Sequence, residues 1–413
     1  MALRNKPLWW RGELRESDAM TRPDFDEIIN RVGTDCSKWD DMEQGFGVSA
    51  SDGIAMWVAD MDFRPPTSVQ RAVEAIAAHG VYGYPSDTRA YGDAIRWWLK
   101  TRHGLEIEAN WILTTQGLVN ATGLCIDALT EPGDGIVLMT PVYHAFARVA
   151  RASGREVVEL PLAMHDGQYR MDWDNWRPLM TGREKMLILC SPHNPGGRVW
   201  SAEELREVAA FCEAHDLILI SDEVHSDLVM PGAPRHLVTA KVVPELAPRL
   251  VTLNAATKTF NIAGAHIGNM IIADEALRDR IRQRLLALGV KPDMFGPQMV
   301  TAAYSPEGAE WVDALVEYLD GNRRIFDEGV NAIPGLRSMP LQATYLAWVD
   351  FSGTGMTAAE FTARVEQGAR IAANHGPTFG TGGESFLRFN LATPRGRVVE
   401  AVARLKKAFA DLQ

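Results

Sequence analysis

Four side chains in this sequence could share one piece of chemistry: an amine, an acid, an amide and a guanidinium. The amine is Lys258, in Arg249-Leu-Val-Thr-Leu-Asn-Ala-Ala-Thr-Lys-Thr-Phe-Asn-Ile-Ala-Gly264, just after an apolar run. The acid is Asp222, which closes the apolar run Leu217-Ile-Leu-Ile-Ser221 and is followed by Glu223-Val-His225. The amide is Asn194, within Ser191-Pro-His-Asn-Pro-Gly-Gly197, and the guanidinium is Arg388, within Phe386-Leu-Arg-Phe-Asn390.

A lysine with small and apolar neighbours (Ala255, Ala256, Thr257, Phe260, Ile262, Ala263) has no adjacent carboxylate to pair with. Burial lowers the pKa of such an amine and favours the neutral nucleophile, which can condense with an aldehyde. Asp222 is costly to bury unpaired, and a protonated ring nitrogen would pair it. Gln116-Gly117-Leu118-Val119 lies between a strand and a helix start, where backbone N–H groups and the helix dipole accept an anion. Thr257 could add a hydroxyl there, and Tyr143 could stack on a ring face. Arg388, flanked by Phe386, Leu387 and Phe389, offers a planar fork for a carboxylate. These are the parts needed to hold pyridoxal 5′-phosphate and an amino acid. Each alone has an ordinary alternative: a solvated lysine, a capping acid, a turn glycine, a core tyrosine, an arginine paired with a protein carboxylate. The Asp-Glu pair also occurs in metal-dependent nucleotide enzymes, but no GxxxxGK[ST] loop accompanies it here.

A chain of 413 residues exceeds the usual size of one hydrophobic core, so two domains are expected. The net charge of −11 argues against nucleic-acid and anionic-membrane partners. Cys36, Cys125, Cys190 and Cys212 form no CxxC pair and read as reduced core residues. The ten histidines show no HxxxH spacing, so no metal is expected. With neither a signal peptide nor a long apolar run in view, a cytoplasmic protein is expected.

Short apolar runs alternate with amphipathic ones. Strands are predicted at Trp111–Thr115, Gly135–Met139, Glu156–Leu160, Met186–Cys190, Leu217–Asp222, Leu250–Asn254 and Ile267–Ile272, with helices such as Val119–Leu129 and Ala202–Ala214 between them. Ser201 with Glu204 predicts a capping box at the second helix. The pattern describes an α/β fold, with a mostly parallel seven-stranded sheet covered by helices on both faces. Ligands in such sheets collect at the carboxyl ends of strands, where Asp222, Asn194 and Lys258 fall. A long helix through Glu310–Asp327 leads to a smaller α/β domain. That domain holds strands at Thr344–Phe351 and Phe386–Ala392, helices at Ala358–Ala369 and Val398–Asp411, and a loop at 376–383. The expected division is 1–55 as an N-terminal arm, part of the small domain, 56–305 as the cofactor-binding domain and 306–413 as the small domain. Trp9, Trp10 and Trp39 give the arm a face to bury on that small domain or on a second subunit.

Together these segments resemble the fold-type I pyridoxal-phosphate enzymes of the aspartate aminotransferase superfamily (class I/II). Within it the chain is most similar to the MalY/PatB-type cystathionine β-lyases, or C–S lyases. The lysine, Asp-Glu and Asn-Pro segments are marks of the superfamily. Lys38-Trp-Asp40, Ala59-Asp-Met-Asp-Phe63 and Tyr345-Leu-Ala-Trp348 are marks of the lyase branch.

The resemblance implies Lys258 as the cofactor-linked base, Asp222 as partner of the ring nitrogen, Asn194 as donor to the phenolic oxygen and Tyr143 as the stacking ring. Gly117, Leu118 and Thr257 would bind phosphate, and Arg388 the substrate α-carboxylate near the Ala59 backbone. Tyr84 would reach the phosphate of a neighbouring subunit, making the active unit a homodimer. Side-chain specificity would rest on pocket walls from both subunits, Trp39, Met61 and Tyr345 among them. His225 stands where many aminotransferases carry tyrosine, and His266 where many carry a phosphate-binding arginine. The implied activity is α,β-elimination of L-cystathionine or a related cysteine S-conjugate to a thiol, pyruvate and ammonia. Transamination and a regulatory role on the same fold are the alternatives.

Overall fold

The computed structural model describes residues 23–85 and 89–412; Trp9 and Trp10 lie outside them. Helix α1 (Arg89–Trp98) leads to the first strand of a seven-stranded sheet. Its strands are β1 (Ile112–Thr115), β2 (Gly135–Leu138), β3 (Glu156–Glu159), β4 (Glu184–Cys190), β5 (Ile218–Asp222), β6 (Leu250–Asn254) and β7 (Gly268–Ile271). The spatial order is β1-β7-β6-β5-β4-β2-β3, and only β7 runs against its neighbours. All seven strands coincide with the predicted apolar runs to within two residues at each end.

Alternation along these strands feeds two separate cores, as a pleated strand requires. Ile136, Leu138, Met186, Ile188 and Ile220 face one side, where they meet Ala121, Leu124 and Cys125 of helix α2 (Leu118–Leu129). Helix α3 (Ala145–Ala152) adds Phe146 and Ala150 to that core. Val137, Leu187, Leu189 and Leu219 face the other side, against Leu205, Val208 and Phe211 of helix α4 (Ala202–Ala214). The predicted capping box closes α4: Ser201 Oγ accepts from Glu204 N while the Glu204 carboxylate accepts from Ser201 N.

The long helix α5 (Pro306–Asn331) packs Leu315, Leu319, Phe326 and Val330 against a second sheet. That sheet is antiparallel, with strands β8 (Arg337–Ser338), β9 (Leu346–Asp350), β10 (Asn374–His375) and β11 (Phe386–Asn390) in the order β8-β9-β11-β10. Helices α6 (Ala358–Ala363) and α7 (Arg395–Ala408) cover it; the helix expected over 358–369 widens into a π-type turn at Arg364–Gly368. Residues of the N-terminal segment join this part of the molecule. Ile54 and Ala55 pair in parallel with Ile371 and Ala372, Arg370 pairs with Asp52, and Trp39 is buried beside Met42, Val48 and Ala372. Among the described residues no helix is long and apolar enough to cross a membrane.

Candidate active site

Five loops leave the carboxyl ends of β1, β2, β4, β5 and β6 and enclose a cavity of about 940 Å³. Gly117 and Leu118 follow β1, Tyr143 follows β2, Asn194 follows β4, Asp222 and His225 end and follow β5, and Thr257 with Lys258 follows β6. All of these residues line the cavity, as do Ala59 and His266. Each β–α crossover delivers its loop to the same edge of the sheet, so Gly117 and Lys258, 141 positions apart, converge.

Gly117 is the residue before α2 and has φ +88°, a conformation that favours glycine. Its turn presents the free N–H groups of a twelve-residue helix to the cavity. Gly268 makes the close approach of β7 to this turn workable, since a Cβ there would lie 2.5 Å from Leu118 Cδ2.

Lys258 is partly buried, and its Nζ donates to the carbonyl of Ala59 at 2.8 Å. Burial pushes this amine down to about 8; Asp60 and Asp222 oppose the drop and Arg388 adds to it. Asp222 is buried, and its Oδ1 accepts from Val224 N at 3.1 Å. Burial lifts its carboxyl to about 7, with Glu223 adding to the rise. Two groups normally charged at neutral pH are therefore both poised near it, a pattern common where protons move.

Arg388, on β11, is buried and lies outside the cavity lining, directly behind Asn194. Its Nη1 donates to Asn194 Oδ1 at 2.9 Å, its Nη2 to the Trp57 carbonyl at 2.9 Å, and its guanidinium sits 5.0 Å above the Phe379 ring. Its bonds run to an amide and a carbonyl, not to a carboxylate, and Nε has no partner among the described residues. Burial lowers its pKa to about 10. Three of five N–H donors remain for a ligand. Because Asn194 Oδ1 is committed to Arg388, Asn194 has its NH2 to offer the cavity.

Tyr345 is buried, and its hydroxyl also donates to the Ala59 carbonyl, at 2.9 Å. His225 is buried with its ring 6.0 Å from that of Tyr345; burial pushes its imidazole down to about 3, so it is neutral, and Nδ1 has no partner among the described residues. Tyr84 is fully exposed and does not line the cavity of its own chain. Of Trp39, Met61 and Tyr345, expected among walls contributed by two subunits, none lines the cavity of this chain. Met61 is in the core, and the Trp39 indole donates to Asp62 at 3.2 Å beneath the Arg397 guanidinium.

The sequence reading missed what holds residues 57–63 over the cavity. Asn390 Nδ2 donates to the Val58 and Asp60 carbonyls, Asn374 Nδ2 to that of Trp57, and Asn261 bridges Met61 N, Met61 O and Phe63 O. Asn261 is three residues from Lys258, so the lysine turn and the covering segment are fixed to each other. Beneath them lies an ion cluster: Arg31 and the fully buried Lys38 pair with Asp60 and Asp62, and Arg397 also reaches Asp62. Burial would raise the Asp62 carboxyl, but Lys38 and Arg31 hold it at about 2. The available signal was two acids in the otherwise apolar run 56–63, each requiring a cation.

Asp62→Asn strips Lys38 of its nearest carboxylate, and breaking such a buried pair costs about 3 kcal/mol. The expected result is a clear fall in the urea midpoint at pH 7; an unchanged midpoint would mean the cluster contributes nothing. A depressed carboxylate stabilises above its ordinary range and loses that effect as pH falls toward 2, so the difference between the proteins shrinks in acid.

Comparison with known proteins agrees with this geometry. The family model described as aminotransferase class I and II matches residues 53–405. The cystathionine beta-lyase PatB of Bacillus subtilis is 34% identical over 389 residues, covering 94% of this chain and 100% of the relative. The crystal structure of cystalysin from Treponema denticola, described as containing a pyridoxal 5′-phosphate cofactor, superposes with a TM-score of 0.90 at 33% identity, covering 95% and 100%. The pyridoxal-phosphate-bound C–S lyase from Staphylococcus hominis gives 0.87 at 29% identity, covering 94% and 99%.

Proposed function

The chain belongs to the aminotransferase class I and II family, and on that premise we propose that it is a pyridoxal 5′-phosphate-dependent C–S β-lyase. Its substrate is L-cystathionine or a related cysteine S-conjugate, and its products are a thiol, pyruvate and ammonia. The observation that carries the reading is Arg388: a buried guanidinium with no carboxylate partner among the described residues, one amide away from a cavity containing Lys258 and Asp222. The lyase assignment draws on the named relatives.

The cavity fits the cofactor. The raised carboxyl of Asp222 has no ion-pair partner within contact among the described residues, and a protonated ring nitrogen supplies one; the Gly117 turn is an anion cradle; the orphan Nδ1 of His225 has a polar partner to gain. Lys258, Asp222, Asn194, Tyr143, Gly117, Leu118, Thr257 and His225 would hold the group. When bound, pyridoxal 5′-phosphate supplies an aldehyde for amines and an electron-accepting ring.

The chain's own residues do the rest. Arg388 binds the substrate α-carboxylate through its three uncommitted N–H donors and so fixes the α-carbon. Lys258 Nζ takes the α-proton, aimed by the Ala59 carbonyl that Tyr345 holds. Asp222 keeps a proton on the ring nitrogen. The C–S bond then breaks with its electrons leaving on sulfur, and water converts the three-carbon remainder to pyruvate and ammonia.

Arg388→Lys replaces a fork by a point donor. Losing a charge-assisted hydrogen bond costs about 1.5–3 kcal/mol, so kcat/KM falls about 10- to 100-fold, mostly through KM. Unchanged KM would remove the arginine from the substrate site.

The active unit in this reading is a homodimer, with the exposed Val81, Tyr82 and Tyr84 reaching a second copy's site. Sedimentation of active protein as a monomer would remove that part. The cysteines are all free, three of them buried, which supports a reducing cytoplasmic setting.

Transamination uses the same site up to the loss of the α-proton, and the matching family model carries that name. Incubation with cystathionine and simple cysteine S-conjugates, without any keto acid, separates the two. Catalytic pyruvate and thiol together are expected. A single stoichiometric turnover that resumes only on adding a keto acid would overturn the lyase reading.

A further inference from the structure

Behind the cavity, the segment that carries Asp222 bears two more buried acids, Glu223 and Asp227, neither of which lines the cavity. Each is bound by an imidazole. Glu223 accepts from Ser221 Oγ at 2.9 Å and Thr239 N at 2.9 Å and pairs with His236 Nε2 at 2.9 Å. Asp227 divides its two oxygens. Oδ1 takes the Trp98 indole at 3.0 Å and His103 Nε2 at 2.8 Å, while Oδ2 takes the Thr259 hydroxyl at 2.9 Å.

Thr259 is fully buried and directly follows Lys258. We propose that Asp227 is a positioning residue for Lys258: anchored by Trp98 and His103, it grips the Thr259 hydroxyl and fixes the direction in which Lys258 Nζ enters the cavity. The inference rests on the lyase reading for its kinetic consequence, but its geometry is independent of it.

Three features favour positioning over simple packing. Trp98 is locked, stacked on Tyr304 at 4.8 Å and edge-on to Phe260 at 5.3 Å, so Oδ1 is anchored to a rigid wall. Oδ2 is left for a single hydroxyl, and that hydroxyl belongs to the residue next to the base. Burial would raise the Asp227 carboxyl, yet the hydrogen bonds and charge of its partners, His103 foremost, hold it below the usual carboxylate range. A charged acceptor gives that hydroxyl a stronger and more directional grip than a neutral one. Two residues beyond Thr259, Asn261 ties the same turn to Met61 and Phe63. The turn is thus held at two points just after Lys258, at Thr259 and at Asn261.

The test compares T259V, which keeps the shape and removes the hydroxyl, with T259S, which keeps the hydroxyl, in holoenzyme. T259V is expected to lower kcat about tenfold with KM within about twofold, because misaiming a base slows proton transfer without weakening substrate binding. In cofactor-stripped protein, T259V should slow the appearance of a borohydride-reducible pyridoxal 5′-phosphate adduct on Lys258 by a similar factor. T259S should restore both rates to within about twofold of the parent. If folded T259V keeps both rates, or T259S fails to restore them, the inference is overturned; should T259V not fold, T259A serves in its place. Absence of pyruvate from the parent protein would defeat the lyase reading alone, and the adduct rate would still decide the role of Asp227.

Discussion

Lys258→Ala lowers elimination by about 10²- to 10⁴-fold while leaving the protein folded. Lys258 is the one lysine that lines the cavity among the described residues, so no neighbouring amine can replace it. Its side chain makes a single hydrogen bond, to the Ala59 carbonyl, and Tyr345 still holds that carbonyl in the variant. Removing a partly buried amine that burial already pushes down to about 8 relieves a desolvation cost, so thermal stability holds or rises. Lys258→Arg is expected to fail equally, because a guanidinium keeps its proton across the working range and cannot act as a base. Steady-state pyruvate release checks the rate, and circular dichroism with a thermal scan checks the fold. Residual activity within about tenfold of the parent would mean that another group takes the α-proton.

Asp222→Asn separates function from stability. The asparagine matches the aspartate in shape but carries no charge to hold a proton on a ring nitrogen, so turnover falls by about 10²- to 10³-fold. Cofactor-free protein behaves in the opposite sense. The folded-state carboxyl is raised from its ordinary 3.8 to about 7 by burial, so the folded protein binds the proton more tightly than the unfolded chain. Stability is then greatest below the ordinary carboxylate range and is lost as pH rises from about 4 to about 7, by up to about 4 kcal/mol. The asparagine variant lacks that loss. Cofactor-free Asp222→Asn should therefore melt like the parent near pH 4 and several degrees above it at pH 8. A parent protein equally stable at both pH values would show that Asp222 is not held raised, and full activity in the variant would remove it from the reaction.

Much of this site is legible in the sequence because each main residue follows a strand that its neighbours betray. Leu217–Ser221 and Leu250–Leu253 are aliphatic runs too apolar to face water, and the polar residue ending each run must lie at the sheet edge. Arg388 is legible for the same reason, as one charge between Phe and Leu side chains. The supports are not legible. Lys38 and Arg397 look like ordinary surface charges in sequence, and only the fold brings them to Asp62. Asp227 with His103 is the same case, two residues 124 apart whose pairing depends on where α1 docks. Sequence reveals which residues are costly to bury; it does not reveal the partner that offsets the cost when that partner lies in a distant element. Trp39 is a further case, since only the fold shows that its indole meets Asp62 and the Arg397 guanidinium.

The most direct test is to add pyridoxal 5′-phosphate to purified protein, reduce with borohydride, digest and locate the modified residue by mass spectrometry. A visible band that is lost on reduction, with the reduced cofactor on the peptide containing Lys258, is the predicted result. Protein that acquires no band with added cofactor, or an adduct on any other lysine, would contradict the account.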